Sequence, residues 1–175
     1  MNENGNHYER AFEGWLKDNG VGYLAIDQHK RAAFSRSKIK SFDFLFYSAD
    51  MRAYIAEVKG RKFGGRNFAA FGNLQNWVTD DDICGLENWI KIFRGQYLGL
   101  FVFAYDLANI DVETDGREIF EYRGKRYVFT AVRLVDYLQG ATVRSIKWKT
   151  LHLSAEYYKQ CVINIDELIL KKARL

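Results

Sequence analysis

The sequence predicts an α/β (α+β) fold in which helices flank a mixed sheet. Three observations carry this. An aromatic stripe at helical spacing opens the chain, two strand-like runs follow about a tight turn, and a capped helix leads into a continuous apolar run. The coarse order is α-β-β-β-α-β, followed by a C-terminal extension of hairpin, strand and short helices.

The first helix is set by Tyr8, Ala11, Phe12, Trp15 and Leu16, with Asn6 as N-cap and Asp18-Asn19-Gly20 as its stop. "VGYLAI" reads as a short strand, and "DQHKRAAFSRSKIK" as a basic connection. "SFDFLFYS" alternates, with Phe42, Phe44 and Phe46 on one face and Asp43, Leu45 and Tyr47 on the other. "RAYIAEVKG" follows a short turn around Asp50, which predicts a hairpin. "RKFGGRN" reads as a glycine-bearing basic loop. "VTDDDICGLENWIKIFRG" is a helix capped by Thr79, with acids in its first turn, cations near its end and Gly95 as its stop. "YLGLFVFAYDL" is the continuous apolar strand of a sheet covered on both faces. Beyond it, "EIFEYRGKRYVFTAV" predicts a hairpin around Gly124, "LVDYL" a short helix and "VRSIKWKTLHL" a basic strand. Two short helices start near Ser154 and Asp166.

The chain has 175 residues, of which 48% are hydrophobic and 16% aromatic, so it is long enough for one folded domain and unlike a disordered segment. No apolar run approaches the ~20 residues of a membrane helix, and "MNENGNHYER" lacks the apolar segment of a secretion signal. Cys84 and Cys161 lie far apart and are expected to be buried free thiols in a reducing compartment. A cytoplasmic location is the expectation. Proline is absent, and no functional reason for this is evident.

Charge is unevenly distributed. Residues 28–66 carry ten Lys/Arg against three acids, residues 67–122 three against ten, and residues 123–150 seven against one. The sequence pI is about 9.0. Two basic blocks around an acidic middle suit either a positive face for phosphate backbones or scattered solvated charge.

Chemistry concentrates in Glu57-Val58-Lys59. Residues two apart on a strand share a face, and a turn centred on Asp50 sets Asp43 opposite Glu57. Two carboxylates so close repel unless a positive group lies between them, either Lys59 or a divalent cation. Mg²⁺ and Mn²⁺ prefer carboxylate oxygens and waters. Such an ion polarises a phosphodiester and activates water, while a lysine orients the nucleophile or stabilises developing charge. The alternative is a structural salt bridge at a sheet edge. In the first helix, Glu9 falls at the margin of the apolar stripe and Glu13 about 40° further out. Glu9 can therefore face the carboxylates, or close a capping box with Asn6.

Taken in order, Glu9, Asp43 and Glu57/Lys59 resemble the signature of the PD-(D/E)XK nuclease superfamily over about residues 6–105. "ERAFEGWLKDNGV", "SFDF" and "AEVKGRK" are especially similar to the archaeal Holliday-junction resolvases. "HYERAFE", with "KSFDF", "VKGRKF" and "NWVTDDD", also resembles the HYExAFE group of bacterial proteins, and that similarity runs over the whole chain. Phe42 stands where the superfamily usually has a proline.

The resemblance implies a restriction-endonuclease-like core at about residues 6–105, with residues 106–175 as an extension of one domain. It implies Mg²⁺- or Mn²⁺-dependent cleavage of DNA. Asp43 and Glu57 would bind the ion, Glu9 would complete the shell or hold its water, and Lys59 would act on the nucleophile. A homodimer is implied by analogy with the resolvases. The alternatives are a nucleic-acid-binding module without turnover and a protein-interaction domain on the same fold.

Further candidate nucleic-acid contacts are Lys38 and Lys40 in the basic connection, Arg61, Lys62 and Arg66 in the glycine-bearing loop, and Gln75. Arg144, Lys147 and Lys149 surround Trp148, a pattern suited to single strands or to a lysine-guarded edge strand. Asp80, Asp81 and Asp82 read as helix-capping acids rather than a metal cluster.

Overall fold

The computed structural model describes residues 7–26 and 40–171. Asn6, read above as a cap, and Lys38, read as a basic contact, lie outside them.

Helix α1 (His7–Asp18) is followed by strands β1 (Tyr23–Ala25), β2 (Phe44–Tyr47) and β3 (Ala53–Phe63). A 3-10 turn at Phe71–Asn73 precedes β4 (Val78–Thr79), α2 (Asp80–Ile92) and β5 (Leu98–Leu107). The α-β-β-β-α-β core is thus present, with β4 as a short addition. After it come β6 (Phe120–Tyr122), β7 (Lys125–Arg133), α3 (Leu134–Gly140), β8 (Thr142–Ser145), β9 (Thr150–His152), α4 (Ala155–Cys161), β10 (Ile163–Asn164) and α5 (Ile165–Ile169).

Among the described residues the main sheet runs β1-β2-β3-β5-β7-β10, with β6 beside β7. Only the β3–β5 pair is parallel, and α2 supplies its crossover. The sheet is therefore mixed, with helices on both faces. The turn about Asp50 sets the β2–β3 register as expected, with Phe44 opposite Ala56 and Phe46 opposite Tyr54.

Alternation along the strands assigns the two faces. Tyr54, Ala56 and Val58 of β3, with Leu100, Val102 and Ala104 of β5, pack under Ala11, Phe12, Trp15 and Leu16 of α1. Ile55 and Phe63, with Phe101, Phe103 and Tyr105, pack under Ile83 and Leu86 of α2 and Tyr158 of α4. Two covered faces explain the unbroken apolar run in β5. Glu13 bridges Lys17 at 3.1 Å and accepts from the Tyr23 hydroxyl at 2.7 Å, so this acid supports the exposed side of α1.

Within the C-terminal extension, β7 pairs with β5 along Leu100–Asp106 and β10 pairs with β7, so its strands join the main sheet. Three expectations are corrected. Arg61 and Lys62 belong to β3 rather than to a loop, because parallel pairing with β5 continues to Phe63 and Leu107. "VRSIKWKTLHL" is a hairpin rather than one strand: β8 and β9 pair with each other, and β9 pairs with β4. Both cysteines are free, but Cys84 is exposed and Cys161 only half-buried.

The predicted turn at Gly124 is a two-residue hairpin loop. Arg123 and Gly124 take φ of 49° and 74°, as the tight twist of such loops requires.

Gly60 fixes how α1 meets β3. A Cβ at this position would lie 2.0 Å from the Tyr8 ring, so only glycine lets that ring settle on the strand. Gly60→Ala is expected to destabilise the protein by about 1–3 kcal/mol through overpacking, measurable as a lower urea midpoint at unchanged m-value. An unchanged midpoint would mean that the first turn of α1 yields freely.

Candidate functional site

Asp43 lies just before β2, and Glu57 and Lys59 lie in the middle of β3. Asp43 and Glu57 are 5% and 6% exposed, unusual for carboxylates. The backbone holds Asp43 in place: its N–H donates to the Ala56 carbonyl at 2.9 Å, and its Oδ2 accepts from the Val58 N–H at 2.8 Å. The strand leaves regular pairing at this point, which turns the Asp43 carboxylate across the end of the β2–β3 ladder.

Glu57 and Lys59 share a face, with Lys59 Nζ 2.9 Å from Glu57 Oε1. Lys40 Nζ bonds the same oxygen at 2.8 Å. Both lysines also bond Asp82: Lys59 reaches Oδ2 at 2.8 Å, and Lys40 pairs with Oδ1. Two acids and two lysines therefore form a closed ring of ion pairs. The Asp82 side chain is 1% exposed and that of Lys59 16%, so water screens this ring poorly.

The reading of Asp82 as a capping acid is correct but incomplete. Thr79 caps α2, and Asp82 closes a capping box by accepting from the Thr79 N–H at 2.9 Å. The same carboxylate, pinned at the helix start, then holds both lysines. Asp82 is the residue that sequence reasoning missed as part of the site. The signal for it is that Asp82 is buried while Asp80 and Asp81 are exposed, which becomes visible only once α2 is placed over β3.

Burial is the first cause of a strong upward shift at Asp43, whose carboxyl is pushed up to about 8. The charges of Glu57 and then Glu9 add to it. Glu9 is thus close enough to act electrostatically on Asp43. Burial also lowers the Lys59 ammonium, against the opposing pull of Glu57.

Among the described residues no group of three or more His, Cys, Asp or Glu gathers closely enough to hold a metal ion. The donor chemistry nevertheless fits a hard divalent cation. Asp43 and Glu57 are buried oxygen donors whose mutual repulsion a cation would relieve.

The other candidate contacts fall in several places. Lys40 lies in the ion-pair ring rather than on open surface. Arg61 is 8% exposed, stacks over the Trp77 ring at 3.9 Å and donates to the Gly60 and Trp77 carbonyls. It is a buried strand residue and not a loop contact. Lys62 and Arg66 are exposed on either end of the glycine-bearing turn in sequence, and Gln75 is exposed beyond it. The carbonyls of Gly64 and Gly65 are tied by Asn109 at 2.8 and 3.2 Å, so that turn is anchored. Arg144, Lys147, Trp148 and Lys149 are all exposed on the β8–β9 hairpin. His7 bonds the Tyr127 hydroxyl at 2.7 Å, a packing role at the start of α1.

The element order and the mixed sheet with helices on both faces define a resolvase-like α+β fold. A Holliday junction resolvase from Archaeoglobus fulgidus is structurally similar, with a TM-score of 0.51 and 13% sequence identity over 94% of each chain. At that identity the likeness is one of fold. No protein-family model matches the chain, and no curated protein sequence matches it. No described helix is long and apolar enough to cross a membrane.

Proposed function

We propose that this chain is a metal-dependent nuclease that hydrolyses phosphodiester bonds in DNA. The observation that carries the reading is the buried pair Asp43 and Glu57 with Lys59 bonded beside it, on the fold of a DNA-junction-cleaving enzyme. Asp43 and Glu57 would hold Mg²⁺ or Mn²⁺, and Glu9 would complete the acidic set. When bound, the ion would polarise the scissile phosphate and lower the pKa of the attacking water. Lys59 would orient that water and stabilise charge on the phosphate. Asp82 would position Lys59 through its 2.8 Å contact. Membership of the HYExAFE group, a single domain over the whole chain, a cytoplasmic location and a resolvase-like homodimer belong to the same reading.

One observation favours a binding module without turnover: Lys40 and Lys59 already neutralise Glu57 and Asp82. In the nuclease reading the ion would compete with Lys40 and Lys59 for the charge of Glu57.

A panel of linear, single-stranded, branched and RNA substrates with Mg²⁺ or Mn²⁺ separates the two. Wild type is expected to cleave at least one DNA form, and Lys59→Ala to lose about 100-fold or more of that rate. Equal cleavage by both proteins would refute the role of Lys59. Binding without cleavage by wild type would establish the module instead.

A further inference from the structure

The β8–β9 hairpin projects its tip into solvent. Ile146 is 87% exposed, Trp148 68% and Val143 66%. Arg144, Lys147 and Lys149 surround these apolar groups, and none of the three is in an ion pair among the described residues. The Lys147 ammonium lies 5.3 Å from the Trp148 ring, so aromatic surface and positive charge are presented together. Exposed apolar surface ringed by unpaired cations is costly to maintain and marks a surface that meets a partner.

The tip is held in shape. The Trp148 N–H donates to Ser145 Oγ and the Lys149 N–H to the Ile146 carbonyl, both at 3.2 Å. Its root is bonded to the candidate site. β9 pairs with β4, and the Asp80 N–H donates to the Lys149 carbonyl at 2.9 Å, two residues before Asp82 in the ion-pair ring. A register irregularity between Val143 and Ser145 sets the Arg144 guanidinium 5.3 Å from the Trp77 ring. On that same ring stacks Arg61, two residues along β3 from Lys59. Arg61, Trp77 and Arg144 therefore bridge strand β3 to the β8 strand of the hairpin.

We propose that the tip is a stacking finger for unpaired nucleotides, with Trp148 stacking on a base and Arg144, Lys147 and Lys149 meeting the flanking phosphates. The partner is nucleic acid because its phosphates complement three exposed cations that form no ion pair among the described residues. It is unpaired because a tryptophan at an exposed turn can meet the face of a base only where that face is open. The inference rests on the nuclease reading and narrows its substrate class to DNA with single-stranded character beside the scissile bond.

The test measures binding in EDTA by fluorescence anisotropy with a labelled single strand, a gapped duplex and a blunt duplex. Wild type is expected to prefer the first two. Trp148→Ala should weaken these about 10-fold, as loss of one base stack implies, and change blunt-duplex binding less than about 3-fold. A Lys147→Ala/Lys149→Ala double variant should weaken all three and flatten the salt dependence. All three side chains are exposed at a turn, so far-ultraviolet circular dichroism should not change. Single-strand binding insensitive to Trp148→Ala, an equal loss on all substrates, or a wild-type preference for blunt duplex would each overturn the finger. A wild type that shows the Trp148-dependent preference in EDTA but cleaves no DNA form when Mg²⁺ or Mn²⁺ is supplied refutes the nuclease reading alone. A wild type that binds none of the three in EDTA yet cleaves DNA with Mg²⁺ or Mn²⁺ refutes the finger alone.

Discussion

Replacing Asp43 with asparagine is expected to abolish divalent-metal binding, lower DNA cleavage about 1,000-fold and, in EDTA, make the protein more stable. The first two effects follow from removing one of two buried carboxylate donors. The third follows from the cost of keeping Asp43 where it is. Its carboxyl is 5% exposed, and burial, then Glu57 and Glu9, push it up to about 8. A carboxyl whose pKa is higher in the folded than in the unfolded protein makes the folded state bind more protons. Its contribution to stability is therefore complete at low pH and is lost as pH rises from about 4 through the folded value of about 8. At pH 8 an uncharged side chain of the same shape removes a penalty on the order of a few kcal/mol. Asparagine can still accept the Val58 N–H bond. Urea melts in EDTA at pH 5 and pH 8 check this. Wild type should weaken between the two pH values by more than Asp43→Asn does, and Mn²⁺ should restore wild type alone. A variant less stable than wild type at pH 8 would show that the carboxylate holds the β2–β3 junction together.

The second large effect falls on Asp82. Asp82→Ala removes the capping box of α2 and leaves Lys40 and Lys59 to share Glu57. Breaking a buried ion-pair ring by deleting one partner typically costs about 3–5 kcal/mol, and the cap about 1 kcal/mol of that class of loss. Asp82→Asn separates the two roles, since its side-chain oxygen can still accept from the Thr79 N–H while its charge is gone. Asn is expected to recover the cap but not the full stability. It should lower kcat about 10-fold or more with KM little changed, because Lys59 keeps one anchor of two. An Asp82→Asn protein with wild-type kcat would reduce Asp82 to a helix cap.

These two residues mark how far the sequence could be read. Asp43 was legible because a turn about Asp50 fixes the β2–β3 register, and one face of a strand must then carry Glu57 and Lys59 together. Asp82 was legible only as a cap. Capping depends on neighbours three residues apart, whereas its bonds to Lys40 and Lys59 depend on where α2 lies over the sheet. The partners of Lys40 are hidden from the sequence for the same reason, since they lie seventeen and forty-two residues away.

The sequence by itself determined the α-β-β-β-α-β order, the α1 stripe, the register about Asp50, the cap of α2, the start of α4 near Ser154 and the doubly covered strand β5. All of these rest on periodicity and on bonds between near neighbours. Only the tertiary structure decided that β3 runs on through Arg61 to Phe63, because that extension is held by parallel bonds to β5. It also decided that the residues after 106 complete the central sheet, that "VRSIKWKTLHL" folds back into a hairpin, and that Lys40 and Asp82 close a ring around Glu57 and Lys59. Each of these depends on which distant segment a strand edge or a charged group meets, and local spacing carries no record of that.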